Sequence, residues 1–414
     1  MRKSRLPSHA LSEVSNFSVD MEYMTASQPK LLISGMASWY LGHTAREFER
    51  LGKLGGYWVS NSSRSGVTPE KYKRIWDYHL AQKLYYHLPF SDFEERMRWW
   101  NLPFYDGWMM RQSLPAEVNV VQAPMGSCKA LFDLADRSGK KVLKVYDAPN
   151  SHPTSQFGYW QRECDLYAPG YRVPIPQWVR ARMNREIERA DLILCPSHFV
   201  KDTMITNGIA ESKCFVSHFG VNTDIFKKRV SMPQKPRFIS VGSLTVRKGQ
   251  QYLFRAFEKV KEVMPEAELI CVGGVRADFK REIERWKGSF THLTSVPHVE
   301  LALLLAESTA FVLPSVEEGF ARVISEAMAA GLPILASYES GATTVVRDGV
   351  EGIIFRPRDI EGIAAAMIRV ARNSVENIAM GDAAFLAGGK SNTWADYAGR
   401  LCNEYSERLQ RHPT

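Results

Sequence analysis

Two carboxylates, Glu318 and Glu326, stand eight positions apart in the run FVLPSVEEGFARVISEAMAAG, which spans Phe311 to Gly331. The apolar start of this run reads as a buried strand ending at Pro314-Ser315. A polar loop follows, and a helix is expected from near Ala321, closed by Gly331 and then Pro333. Glu318-Gly319-Phe320 thereby falls at a helix N-terminus just beyond the end of a strand. Free backbone N–H groups at such a place attract an anion such as a diphosphate, and Gly319 lets it come close. The carboxylate of Glu318 repels phosphate but accepts hydrogen bonds from sugar hydroxyls. Glu326 lies on the flank of a helix whose apolar face is Val323, Ile324, Ala327 and Met328. From there it reaches ribose hydroxyls, the usual task of an acidic residue beside a nucleotide. Each has a plainer alternative: Glu318 favours the helix dipole, and Glu326 pairs with Arg322 one turn back.

The elements that position these residues alternate along the chain. Strand candidates in the first half are KLLISGM, VNVVQA, KVLKVYDA, LILCPS and KCFVSHF, separated by helical stretches such as HTAREFERLGKL, CKALFDLADRSG and RMNREIERA. Lys227–Pro236 is polar, basic and holds two prolines, so it reads as a linker. A second series follows: RFISVGSL, a helix through QYLFRAFEKVKEVM, then AELICVGG, FTHLTSV, AFVLPS and PILAS. Short apolar runs between amphipathic helices indicate parallel sheets covered by helices. The class is therefore α/β, with two Rossmann-like, doubly wound domains facing across a cleft. Their ligand site is expected at the carboxyl ends of the strands. Gly35 sits at the first strand-to-helix turn, Asp147–Pro153 (DAPNSHP) at the end of another strand, and Ser197 after a third. Arg247-Lys248-Gly249 forms a loop between strand and helix. The boundaries are 1–28 for an extended N-terminal segment, 29–228 and 237–390 for the two domains, and 391–410 for a C-terminal helix docking back on the first domain.

Residues 71–112 interrupt the alternation. They mix Tyr72, Trp76, Tyr78, Tyr85, Tyr86, Trp99, Trp100 and Trp108 with Lys71, Lys73, Arg74, Lys83, Arg96, Arg98 and Arg111. Such a mixture suits a membrane interface or a lipid-linked acceptor, while a packed insertion with core aromatics is the plainer and slightly favoured alternative. The formal charge of +8 over 414 residues fits an anionic ligand, an acidic membrane surface or nucleic acid, a mildly basic solvated surface being the plainer alternative. The N-terminus has basic residues with no apolar core after them, so a secretory signal is not expected. Six scattered cysteines without a C-x-x-C pair point to reduced, buried thiols and a cytoplasmic chain.

Taken whole, the Phe311–Gly331 run resembles the E-x7-E segment of the retaining glycosyltransferase family 4, enzymes of the GT-B fold. Glu318 and Glu326 match its two acidic positions. PSHFVKDTM, HFGVNTDIF, VGSLTVRKGQQYLFRAF, EAMAAGLPILAS and GATTVVRDGVEGIIF occur in the family's order and spacing, from about Lys30 to the C-terminus. The resemblance implies a nucleoside-diphosphate-sugar donor and a hydroxyl of a glycan or lipid-linked glycan acceptor, in polysaccharide or lipopolysaccharide synthesis of the bacterial kind. It implies transfer with retention, in which attack and departure share one face and the departing phosphate helps to deprotonate the acceptor.

By the same match Lys248 holds the donor diphosphate, where a cation neutralises charge on the leaving group. Ser243 stands where many members have arginine, and Arg247 is expected to substitute for it. Ala321 replaces a frequent second glycine. Gly35 corresponds to a glycine-rich loop, Gly319 and Phe320 complete the donor loop, and His152 resembles the histidine near the reacting sugar, a loop histidine bonded to backbone being the even alternative. No D-x-D occurs, so neither a metal nor another cofactor is expected, and no nucleic-acid partner. The rival readings are an enzyme resembling nucleotide-sugar epimerases, and an inactive membrane- or nucleic-acid-associated protein on the same fold. An NAD-dependent oxidoreductase fits least, because no G-x-G-x-x-G follows the first strand of either half.

Overall fold

The computed structural model describes residues 28–36, 40–60, 65–75, 99–222, 224–388 and 392–411. The first sheet contains β1 (Leu31–Gly35), β2 (Leu54–Val59), β3 (Tyr72–Arg74), β4 (Val120–Pro124), β5 (Leu143–Asp147), β6 (Leu192–Cys195) and β7 (Cys214–Val216). Their spatial order is β3-β2-β1-β4-β5-β6-β7. The second sheet contains β8 (Arg237–Val241), β9 (Glu268–Val272), β10 (Thr291–Leu293), β11 (Ala310–Leu313), β12 (Ile334–Ser337) and β13 (Gly352–Phe355), in the order β10-β9-β8-β11-β12-β13. All the strand pairings described are parallel. Both orders reverse direction beside the first strand of the unit, between β1 and β4 and between β8 and β11, which is where a doubly wound sheet opens a ligand crevice.

Strands β1 and β4 to β12 form where the apolar runs predict them, and the central ones, covered on both faces, are buried along their length. Helices cover those faces through their apolar stripes. In the Gln250–Val263 helix, Leu253, Phe254, Phe257 and Val260 are buried at helical spacing. The helix starts after Gly249, whose φ of +76° lies in the left-handed region. A Cβ there would stand 2.0 Å from the Pro314 carbonyl oxygen, so this loop can lie against the end of β11 only with glycine.

The loops at the carboxyl ends of the two sheets meet. A second seam runs along the Pro153–Tyr167 helix, where the fully buried Glu163 accepts from Tyr252 Oη (2.7 Å), Gln251 Nε2 (3.1 Å) and Arg358 Nε (2.7 Å) of the second domain. Trp160 Nε1 donates to Asp278 at 2.8 Å beside it. The last helix, Trp394–Arg411, packs on the first domain. Tyr405 Oη donates to Gln122 (2.8 Å), Arg400 donates to Ser217 and to the His218 carbonyl, and Trp394 stacks on His43 at 4.6 Å.

In the segment 71–112, Tyr72–Arg74 is not part of an irregular insertion but the edge strand β3, paired with β2. Lys71 is paired with Glu49, and Lys73 lies 4.4 Å over the Trp58 ring. Trp99 is buried and Trp108 packs edge-on against Trp58, while Trp100 is 61% exposed. The extension at 1–27 and residues Trp76, Tyr78, Lys83, Tyr85, Tyr86, Arg96 and Arg98 lie outside the described residues. Among the described residues, no helix is long and apolar enough to cross a membrane, and the six cysteines are free thiols.

Candidate active site

Beyond β11 the chain turns through Pro314–Arg322 and enters the Val323–Ala329 helix, two residues later than the sequence predicts. Gly319 and Phe320 thus lie in the loop proper, and the Ala321 N–H is directed to the Ser340 carbonyl at 3.4 Å. The loop is shaped by close approach to the other domain. A Cβ on Gly319 would fall 1.8 Å from the Pro149 carbonyl oxygen, so only glycine fits. The Gly319 carbonyl accepts from Ser197 Oγ at 2.6 Å, and Phe320 is buried with its ring 5.7 Å from that of His218. Ser197 also caps the His198–Thr206 helix by accepting from the Val200 N–H. A residue to which the sequence assigned no role therefore clasps the two domains.

Glu318 forms an ion pair with Lys248, and its carboxylate lies 3.9 Å from Arg247. Burial alone would raise its pKa. Lys248 and Arg247 outweigh burial and hold the carboxyl below its ordinary range. Lys248 ends the short 3-10 turn Val246–Lys248 after β8. The two charges thus come from the loops after β8 and β11, the strands that flank the reversal point of the second sheet.

Arg247 is engaged elsewhere. Its Nη1 donates to Glu317 Oε2 at 2.7 Å and to the Glu317 carbonyl at 3.1 Å, while its own carbonyl accepts from the Val316 N–H. Glu317 is fully buried. Its Oε1 accepts from both the N–H (3.2 Å) and the hydroxyl (2.8 Å) of Ser151 in the first domain. Glu317 is the residue that sequence reasoning missed. Its signal was the doublet Glu317-Glu318 facing the doublet Arg247-Lys248, which says that two ion pairs form but not which acid takes which base. Ser243, the position Arg247 was expected to replace, is exposed.

Across the cleft, His152 caps the Pro153–Tyr167 helix: Nδ1 accepts from the Thr154 N–H at 3.3 Å. Its own N–H donates to Thr203 Oγ1 at 3.0 Å. Burial lowers its pKa to about 4, so the imidazole is neutral near pH 7. Glu326 is buried on its helix, and burial, opposed by Arg322 and His298, holds its carboxyl above the ordinary range. Gly35 ends β1 at the reversal point of the first sheet. A Cβ there would press on Pro124 and Leu41 and on none of the other candidate residues. The structure therefore brings together Glu318, Lys248, Arg247 and Gly319, and joins them through Ser151 to the His152 loop.

The whole-chain architecture is shared with sucrose-phosphate synthase from Thermosynechococcus elongatus, at a TM-score of 0.68 and 18% identity over 93% of this chain and 100% of that one. The fold is GT-B. Residues 235–373, within the second domain and its closing helices, match the family described as glycosyl transferases group 1. The chain is 28% identical over 222 residues to the sulfoquinovosyl transferase SQD2 of Arabidopsis thaliana, covering 47% of this chain but only 41% of that protein. It is 23% identical over 361 residues to the D-inositol 3-phosphate glycosyltransferase of Corynebacterium aurimucosum, covering 77% of this chain and 83% of that one. The GT-B comparison accounts for the position of the charged loops, which face the cleft from the carboxyl ends of the strands.

Proposed function

We infer that this chain is a retaining glycosyltransferase that moves a sugar from a nucleoside diphosphate to a hydroxyl of a glycan or lipid-linked glycan. The observation that carries this reading is the Lys248–Glu318 pair at the reversal point of the second sheet, tied through Glu317 and Ser151 to the neutral His152. Lys248 exchanges its carboxylate partner for the donor diphosphate and neutralises charge as the leaving phosphate departs. Glu318, freed of Lys248, accepts hydrogen bonds from hydroxyls of the donor sugar. Glu326 serves the ribose hydroxyls. His152, neutral and fixed by its cap, hydrogen-bonds the sugar without adding charge. Glu317 is saturated by Arg247 and Ser151, and Glu318, once freed of Lys248, is engaged by the hydroxyls of the donor sugar, so neither serves as an attacking nucleophile. This favours departure and attack on one face, with the leaving phosphate taking the acceptor proton and the protein holding the reactants in position.

Lys248 supports diphosphate binding without a divalent metal or other cofactor, Arg247 being held by Glu317. Both named relatives are transferases, and one takes an inositol phosphate by name, which supports an acceptor in glycolipid or polysaccharide synthesis. Action in the cytoplasm at a membrane surface is part of the same reading. The test is incubation of the purified chain with a panel of nucleotide sugars and glycan acceptors in EDTA. Products are then read by mass spectrometry and by proton NMR of the new anomeric centre. A glycoside with the anomeric configuration of its donor is expected. A free epimer, inversion, or a strict demand for added Mg²⁺ or Mn²⁺ would overturn the corresponding part.

A further inference from the structure

A groove of about 640 Å³ opens on the first domain between the Pro153–Tyr167 and Gln177–Arg189 helices. Its lining includes Pro153 and Thr154, the two residues that follow His152, so it opens beside the His152 loop. Its apolar lining includes Phe157, which is buried, and the 59% exposed Leu166. Two guanidinium groups line the same groove. Arg180 lies 5.0 Å from the Phe157 ring, and its Nε is buried without a hydrogen-bond partner. Arg162 is exposed on the facing helix. Neither forms an ion pair among the described residues. Asp165, the acid in the lining, already accepts from Arg172 (2.9 Å) and Gln161 (3.0 Å), so the groove keeps an unbalanced positive charge.

Arg180 is partly buried over the Phe157 ring with one donor left unsatisfied, and an anion in the groove would complete it. A free inorganic anion would need no apolar lining, and a neutral glycan would need no unpaired guanidinium. The two features together select an amphiphile whose apolar part adjoins a phosphate. We propose that this groove is the acceptor subsite and that it binds a phosphate-bearing amphiphile, with Arg180 and Arg162 on the phosphate and Phe157 and Leu166 under the apolar part. The proposal rests on the transferase reading for its role, but its binding chemistry is separately measurable.

The experiment is calorimetric titration of the full chain, without donor, at physiological salt. The probes are octyl phosphate below its micelle concentration, octyl glucoside, and inorganic phosphate. Octyl phosphate is expected to bind at least about tenfold more tightly than either other probe. Arg180→Gln, and separately Arg162→Gln, should each lose about tenfold for octyl phosphate only, while binding of UDP and GDP stays as in wild type. Unchanged nucleotide binding also shows that the variants fold. Equal affinity of wild type for octyl phosphate and octyl glucoside, or wild-type affinity in both variants, would overturn the proposal. Inorganic phosphate binding as tightly as octyl phosphate would overturn the amphiphile and leave a free-anion site. Octyl phosphate binding as expected in a protein that binds no nucleotide would sustain the groove and remove the transferase reading.

Discussion

Ser151 and Glu317 are joined twice across the cleft, the backbone N–H at 3.2 Å and the hydroxyl at 2.8 Å both donating to one carboxylate oxygen. The other oxygen holds Arg247 at 2.7 Å. One buried acid therefore fixes the loop that carries His152, the loop that carries Glu318 and the turn that carries Lys248. Truncating it leaves a partly buried guanidinium and a buried hydroxyl without their acceptor. Glu317→Ala should lower stability by about 3 kcal/mol, at the low end of what breaking a buried pair costs. Glu317→Gln, which keeps an acceptor for Ser151, should cost less. Urea unfolding measures both. An unchanged midpoint for Glu317→Ala would mean that the junction carries no net energy.

The Lys248–Glu318 pair makes a sharper statement about function. If Lys248 must leave Glu318 to meet the diphosphate, then Glu318→Ala removes a competitor for the cation. Transfer should fall by about 100-fold, as for loss of one preorganised contact to the reacting groups, while the Kd for the nucleoside diphosphate holds or tightens. Lys248→Ala should instead weaken the nucleotide, raising donor KM and lowering kcat together. Calorimetry with UDP and GDP separates the two. Weaker nucleotide binding by a folded Glu318→Ala would place Glu318 on the diphosphate side of the site.

These pairings show where sequence reasoning stops. The parallel strands β1 and β4 through β12 are legible because residues buried on both faces read as continuous apolar runs. β2 is not, because LGGYWV contains Gly55 and Gly56. Side chains there would strike Val118 at 2.5 Å and Leu32 at 2.7 Å, so close packing has replaced the apolar signal. β3 is three residues of mixed polarity at a sheet edge, and β13 hides behind the turn signals of RDGVEG. At the site, the types and spacing of Glu318, Lys248 and Gly319 pointed to one place. That Arg247 is taken by Glu317 could not be read, because the choice within each doublet depends on Ser151, distant in sequence and brought in only by domain contact.

His152 gives a prediction about pH. Its pKa is lowered by burial from an ordinary 6.5 to about 4. A histidine acting as a solvent-exposed acid or base would bend the rate profile near its ordinary value. The buried, capped ring stays neutral until the pH falls toward 4. The profile of kcat/KM should therefore show no histidine inflection between about pH 5.5 and 8. His152→Ala should still lower kcat, by about tenfold or more, because a positioned hydrogen bond is lost. An acid limb near 6.5 that vanishes in His152→Ala would show that the ring titrates in the working range.

Asp147, at the end of β5 in the strand that leads to His152, makes the opposite case of a carboxyl kept protonated. It is fully buried, accepts from Gln122 Nε2 at 2.7 Å, and through Gln122 is linked to Tyr405 of the C-terminal helix. Burial raises its pKa from an ordinary 3.8 to about 7, against the opposing hydrogen bonds from Gln122 and Tyr40. The sign follows from proton counts. Between about pH 4 and 7 the unfolded chain has released this proton while the folded chain retains it, so folding is progressively disfavoured as pH rises through that window. Above about 7 both states are ionised and the penalty is constant, at most about 4 kcal/mol at 1.36 kcal/mol per pKa unit. Asp147→Asn keeps an acceptor for Gln122 and cannot ionise. The variant should match wild type in thermal stability near pH 3 and exceed it near pH 8, with the gap growing across the window. Calorimetric melting at several pH values measures this gap. A difference between the two proteins that does not change with pH would mean that Asp147 ionises as easily in the folded chain as in the unfolded one.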